Sequence, residues 1–327
     1  MRTTPAATAA LITVALALTA CGSSEDEAVA SDGCSSGDSG ADPVTVTDTR
    51  GEEISLDEPA DTVVALEWQE AEDLTALGVM PAGVAQVGDF KTWVDTVEID
   101  DACVTDVGLR SEPSMDAIAG LQPDLIITEG DRSKSQIGDL EEIAPVLVTD
   151  GTDQSDNIGQ MRSNLEMIAT AIGKEDVAQQ LLGDLEASIE SGRQAIEEAG
   201  LEGTTFAAAH GWTEGGSVSI RMFGEGSLFS DVAEELGLSN DWDGKVDEWG
   251  LTTTDVEAMT QLGDTHFMYI APEDNVFAEA LPDNPIWQGL PFVEKGNVHE
   301  LDGGTWAFGG PKSCEQLVDE IVGALTS

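Results

Sequence analysis

Between residues 44 and 150, short apolar runs alternate with amphipathic stretches. VTVT (44–47) and EEISL (52–56) alternate apolar and polar positions around Asp48-Thr49-Arg50-Gly51, the pattern of a hairpin. TVVAL (62–66), PAGVAQ (81–86), DLIIT (124–128) and PVLVT (145–149) are compact apolar runs that read as strands. Between them QEAEDLTALG (69–78), SMDAIAGL (114–121) and SQIGDLEEI (135–143) carry helical spacing, the first closed by Gly78. Such alternation predicts α/β layering with mostly parallel strands.

Residues 155–199 break the alternation with two helical patterns separated at Gly173-Lys174. The second, over 175–199, places Val177, Leu181, Leu182, Leu185, Ile189 and Ile196 near helical spacing. At about 1.5 Å per residue it spans roughly 37 Å, which suits a rigid rod between two lobes. Alternation then resumes: strands at 204–210, 217–223, 266–270 and 297–301, helices at 227–237, 254–263 and 313–325. The halves echo each other. Asp116 and Glu257 each stand five residues before a leucine (Leu121, Leu262) that leads into an apolar strand. The expected fold is therefore α/β, two lobes joined by one long rigid helix. The N-terminal lobe is expected over 43–173, the joining helix over 174–200 and the C-terminal lobe over 201–327.

Composition narrows the function. The chain carries 64 Asp+Glu against 13 Lys+Arg, a formal charge of −51, which excludes nucleic acid as a partner. Arginines are scarce enough that each one in an expected loop of the cleft stands out. At the start, Arg2 precedes an uncharged, largely apolar run over 6–20, shorter than a membrane span and the size of a signal-peptide core. Residues 1–20 read as a signal peptide. Leu18-Thr19-Ala20-Cys21 resembles the lipobox of bacterial lipoproteins, which implies a lipidated Cys21 as first mature residue and anchoring to the outer face of the cell membrane through lipid alone. The Ser-, Gly- and Asp-rich residues that follow, to position 42, read as a tether. Cys34 lies in that tether, which leaves Cys103–Cys314 the more natural disulfide pair; the sequence does not decide whether it forms.

Four stretches resemble the periplasmic ferric-siderophore binding family, especially its ferric-hydroxamate and ferric-dicitrate members. They are VVALEWQEAEDLTALGVMPAGVA (63–85), DVGLRSEPSMDAIAGLQPDLIIT (106–128), MFGEGSLFSDVAEELGLSNDW (222–242) and NPIWQGLPFVEKGNVHELDGGTW (284–306). The resemblance covers nearly all of 43–327 in the family's order. It implies a substrate-binding lipoprotein of an ABC importer, with the ligand in the cleft between lobes, no enzymatic activity and no cofactor. The expected ligand is a ferric siderophore whose iron is already saturated, so no protein atom need bind metal. The expected partner is a permease dimer, and the expected state is a monomer.

Within that resemblance Arg110 matches a ligand-contacting arginine, and Trp249 and Trp306 match aromatic cleft walls. Arg132 follows a strand at its C-terminal end, where α/β sheets present ligand groups, and Arg221 lies in a strand-like run. Trp68 and Trp93 are candidates for either core or cleft. Asp116 and Glu257, one per lobe, are expected to meet basic residues on the two permease subunits. Hydroxamate-like members carry a tyrosine where this chain has Asp131-Arg132, which tilts the expected ligand toward carboxylate-bearing siderophores. Haem and cobalamin remain alternative ligands. A bare-ion site is disfavoured by only three histidines without short ligand spacing. The GxSxG match at 33–37 lacks the flanking strand and helix of a hydrolase.

Overall fold

The computed structural model describes residues 42–326. The expected signal peptide, Cys21, Cys34 and nearly all of the expected tether lie outside the described residues. Among the described residues, no helix is long and apolar enough to cross a membrane.

After an antiparallel hairpin (Val44–Thr47 with Glu53–Leu56), the N-terminal lobe builds a five-stranded parallel sheet. Its spatial order is Thr105–Asp106, Gly83–Val84, Val63–Ala65, Leu125–Glu129, Val146–Thr149. Helices cover both faces, so both faces must be apolar, which is why these strands read as unbroken apolar runs. Val63, Ala65, Leu125, Ile127 and Leu147 enter one core, and Val64, Leu66, Ile126, Val146 and Val148 the other. The chain leaves strand Val63–Ala65 toward one edge and returns on its other side at Leu125–Glu129. That reversal opens a crevice at the carboxyl ends of these two strands.

The C-terminal lobe holds a mixed sheet ordered Leu251–Thr254, Ser217–Phe223, Thr205–Glu214, His266–Ile270, Val298–Leu301. The expectation of mostly parallel strands fails here. Gly215 (φ +57°) and Gly216 (φ +85°) supply the two positive-φ positions of a tight hairpin, so Thr205–Glu214 and Ser217–Phe223 pair antiparallel. The helix expected over 254–263 is also corrected. Leu251–Thr254 is a strand paired antiparallel with Ser217–Phe223, and only a 3₁₀ turn, Ala258–Gln261, follows. Three successive threonines, β-branched and poor helix formers, favour the strand. Asp116 thus lies in the first turn of an α-helix (Met115–Leu121) and Glu257 just before a 3₁₀ turn; both are exposed.

Two helices join the lobes, Asn157–Ile172 and the 24-residue Glu175–Glu198. The long one serves both cores: Ala178, Leu181 and Leu182 pack into the first lobe, and Leu185, Ile189 and Ile196 into the second. The last helix, Pro311–Thr326, lies against it at Gly192, where a Cβ would stand 2.7 Å from Val318 Cγ1. The start of that last helix meets the N-terminal lobe. Glu72, in helix Trp68–Ala76, accepts the backbone N–H of Ser313 at 2.7 Å, that of Gly310 at 3.2 Å and the Ser313 hydroxyl at 2.6 Å. Cys314, one residue further, is a buried free thiol, so the Cys103–Cys314 pair is not formed. An interior helical face around Leu317 and Val318 holds it as a small apolar side chain.

Candidate functional site

The crevice of the N-terminal sheet faces the C-terminal lobe across a cavity of about 390 Å³. From the N-terminal side, the segment after Val63–Ala65 brings Glu67, and the helix Trp68–Ala76 that follows brings Trp68 and Glu70. The turn after Gly108–Leu109 brings Arg110, and the end of Leu125–Glu129 brings Glu129 and Arg132. From the other lobe come Arg221 in its strand, Asp247 and Trp249 before Leu251–Thr254, and Trp306 and Phe308 after Val298–Leu301.

Glu67 organises the basic side. Its carboxylate takes Arg110 at 2.6 Å and Arg132 at 2.6 Å, one guanidinium on each oxygen. Arg132 also approaches Glu129 at 3.7 Å. Glu129 caps its own short helix, accepting the N–H of Asp131 at 3.1 Å. Arg110 is further fixed by Gln86, whose Oε1 accepts the Arg110 backbone N–H at 3.1 Å; Gln86 itself holds a left-handed φ of +54°, a strained conformation for its type. The Arg110 guanidinium lies 4.3 Å from the centre of the Trp68 ring, a cation–π contact. Arg221 differs. It forms no ion pair among the described residues, and its guanidinium lies 5.1 Å from the Trp212 ring, with Asp247 as the nearby countercharge.

Burial sets the electrostatics. It raises the Glu67 carboxyl above its ordinary range despite the two guanidiniums, and raises Glu129 likewise. Burial, then the negative charge of Glu67, pushes Glu70 up to about 7. Glu70 accepts the Thr149 hydroxyl at 2.5 Å on one oxygen; the other has no hydrogen-bond partner. Trp68 and Trp306 (centroids 4.9 Å apart) and Phe308 form an aromatic wall of the cavity, and behind it Phe223, Phe308 and Trp93 surround His210. Burial drops His210 to about 3, so the ring is neutral. Among the described residues, no group of three or more His, Cys, Asp or Glu could hold a metal ion.

Residues 63–304 match the model of a family of periplasmic binding proteins, a span that takes in both sheets and the joining helix. The chain belongs to this family. Among curated relatives, the iron(3+)-hydroxamate-binding protein FhuD of Escherichia coli (strain K12) is 27% identical over 267 residues, 80% of this chain and 86% of the relative. The probable siderophore-binding lipoprotein YfiY of Bacillus subtilis (strain 168) is 25% identical over 319 residues, 94% of this chain and 93% of the relative. Among solved structures, FhuD of Vibrio cholerae bound to Fe³⁺–Desferal aligns with a TM-score of 0.74 at 27% identity, covering 81% of this chain and 98% of that one. All three are binding proteins by name.

In this periplasmic binding protein the cavity gathers six of the seven side chains expected from sequence: Arg110, Arg132, Arg221, Trp68, Trp249 and Trp306. Trp93 does not line it. That ring stands behind Trp306 at 5.9 Å and beside His210 at 5.2 Å, a supporting position. Tyr269 is buried in the C-terminal sheet and donates to Glu300 at 3.1 Å; His266 pairs with His299 at 3.0 Å. Both are away from the cavity. Sequence reasoning missed Glu67, Glu70, Glu129, Asp247, Phe308 and Gly151. A glutamate directly after a buried strand was the available signal for Glu67, but in so acidic a chain it does not stand out. Gly151 lies under the Trp249 indole, where a Cβ would fall 2.2 Å from its Cη2.

Proposed function

We propose that this protein captures a ferric siderophore in the cleft between its lobes and delivers it to the permease of an ABC importer. The observation that carries this reading is the cavity itself. Its volume is that of a small-molecule site, its walls are Trp68, Trp249, Trp306 and Phe308, and Arg221 has no ion-pair partner there. Indole faces suit the organic scaffold of a chelate and guanidinium N–H groups suit its oxygens. A saturated iron complex needs no protein ligand, so the protein acts by shape, hydrogen bonds and charge, not by catalysis. The ferric-hydroxamate and siderophore relatives support the same ligand class.

Native mass spectrometry and Trp quenching against ferric hydroxamates, ferric citrate, a ferric catecholate, haem and cobalamin test it. A ferric siderophore complex is expected to bind and quench; tighter binding of cobalamin or haem than of every ferric siderophore would overturn the reading.

Delivery rests on two surface proposals. Cys21 carries the lipid that holds the protein at the membrane, a reading supported by the lipoprotein relative. Cys21→Ala should move the protein into the soluble fraction; retention after a high-salt wash would exclude it. Exposed Asp116 and Glu257 each meet one subunit of a permease dimer, and the binding protein itself acts as a monomer. Asp116→Lys with Glu257→Lys should cut uptake while leaving ligand affinity unchanged. Full uptake by the double variant, or lost ligand binding, would end that proposal.

A further inference from the structure

The cavity holds more acid than base. Glu67, Glu70, Glu129 and Asp247 face Arg110, Arg132 and Arg221. Two of the three arginines are already engaged. Arg110 and Arg132 both close on Glu67, and Arg132 also reaches toward Glu129. Arg132, read from the sequence as a ligand-contacting residue, therefore shares its charge with Glu67 before any ligand arrives. Arg221 is the cavity arginine without an ion pair among the described residues.

Glu70 points to the ligand independently. It is 2% exposed, lines the cavity, and leaves Oε2 without a hydrogen-bond partner. A buried acceptor is rarely left without a donor. Glu70 lines the cavity, and an ammonium or an amide N–H of a bound molecule would supply the missing donor once the carboxyl turns toward it. A carboxylate or a phenolate would meet it only with Glu70 in its protonated form.

We propose that the cleft selects ferric complexes of zero or positive net charge that carry N–H or ammonium donors, namely ferric tris-hydroxamates, over polyanionic carboxylate and catecholate complexes, with Glu67 as the residue that sets this selection. It rests on the siderophore reading above and narrows its ligand class. Three hydroxamates contribute one negative charge each and cancel Fe³⁺. Three catecholates contribute two each and leave a trianion, and ferric citrate complexes are anionic as well. A polyanion entering this cavity must compete with Glu67 for the charge of Arg110 and Arg132, and must lie beside the carboxylates of Glu67, Glu129 and Asp247 in a partly desolvated space. Both are costly. Such repulsion is an effective way to discriminate between ligands of similar shape. A neutral tris-hydroxamate avoids both, taking the Arg221 N–H groups on its oxygens, the indoles on its scaffold and Glu70 on an N–H.

Dissociation constants from Trp quenching test the selection with four probes. These are a linear ferric trihydroxamate bearing a free ammonium, a neutral cyclic ferric trihydroxamate, ferric citrate and a ferric tricatecholate. The two hydroxamates are expected to bind at least about ten-fold tighter than the two anions. Glu67→Gln should narrow that gap about ten-fold, chiefly by strengthening the anions, because it frees Arg110 and Arg132. Glu70→Gln should weaken the ammonium-bearing probe more than the neutral one. If Glu67→Gln does not fold, as judged by circular dichroism, Glu129→Gln removes the second countercharge of Arg132 and should shift the ratio in the same direction by a smaller factor. Preference of the wild type for citrate or catecholate, or an unchanged ratio in the folded variant, would overturn the selection and leave the siderophore reading standing. No binding of any of the four would overturn both.

Discussion

Gly151 and Trp249 show how little separates a wall from an obstruction. The indole crosses from the C-terminal lobe and lies on the N-terminal chain where no side chain intervenes. A methyl at residue 151 would stand 2.2 Å from Trp249 Cη2 and 2.9 Å from Glu129 Cδ. Neither neighbour is backbone, so the indole would swing before the fold gave way. Gly151→Ala is therefore expected to weaken ligand binding by about 1–3 kcal/mol, the scale of displaced packing, with little change in melting temperature. Equal affinity in titrations of the two proteins would remove Trp249 from the contact surface. Arginines and tryptophans of the site were legible in the sequence because both types are scarce in this chain. Its carboxylates were not, because 64 acidic residues give no means of telling a buried one from a solvated one. What distinguishes Glu67 is its position at the crevice between two strands, and that is set by sheet order.

Helix Trp68–Ala76 carries this difficulty further. Its sequence, WQEAEDLTA, reads as a solvated helix with one apolar stripe, yet Glu70, Glu72 and Asp73 are all buried. The second lobe covers Glu72 and Asp73, while Glu70 is held within the first by Thr149. Glu72 terminates the last helix of the second lobe, taking N–H groups at Gly310 and Ser313 that otherwise have no intrahelical partner. Its negative charge lies at the positive end of a helix of 16 residues. Close approach depends on Gly309 and Gly310, where a Cβ would come within 2.4 Å of Glu72 Oε2 and 2.0 Å of Asp73 Oδ1 respectively. Glu72→Ala should lower stability by about 1.5–3 kcal/mol, the range for hydrogen bonds to a charged group, read as the shift in a urea midpoint at constant slope. A shift below about 0.5 kcal/mol would mean that water replaces the cap. The long joining helix, by contrast, was legible throughout, because its apolar positions follow one period across both lobes. The helix expected over 254–263 failed at its start because a strand partner at Ser217–Phe223, distant in sequence, holds Thr254 extended, and only a 3₁₀ turn, Ala258–Gln261, follows.

For the whole molecule, the buried carboxyls set the direction in which stability depends on pH. Burial raises Glu67, Glu70, Glu72, Asp73 and Glu129; it carries Asp73 well above its ordinary range, with the negative charges of Glu72 and Glu70 adding to it. In the unfolded chain these groups titrate near 4 to 4.5, about the ordinary carboxyl values. Between that pH and their raised folded values, the native state binds more protons than the unfolded one, so stability falls as pH rises. For Glu70 the window runs from about 4.5 to about 7, and its contribution across it is roughly 3 kcal/mol. His210 opposes this in acid: its folded value of about 3 lies below the ordinary 6.5, so its contribution is lost as pH falls through 6.5 and below. Between pH 6 and 8 Glu70, with its folded value of about 7, loses stability while His210 acts only toward the acid end, and relief of repulsion in a chain of formal charge −51 acts in the same direction as Glu70. The melting temperature should therefore be higher at pH 6 than at pH 8. Salt separates the two causes, because it screens surface repulsion while leaving buried groups largely untouched. In high salt the pH slope should persist in the wild type and become shallower in Asp73→Asn, which removes a buried carboxyl raised well above its ordinary value. A slope that vanishes in salt for both proteins would assign the effect to surface charge, and a melting temperature that rises toward pH 8 would show that these carboxyls are ionised and satisfied in the folded protein.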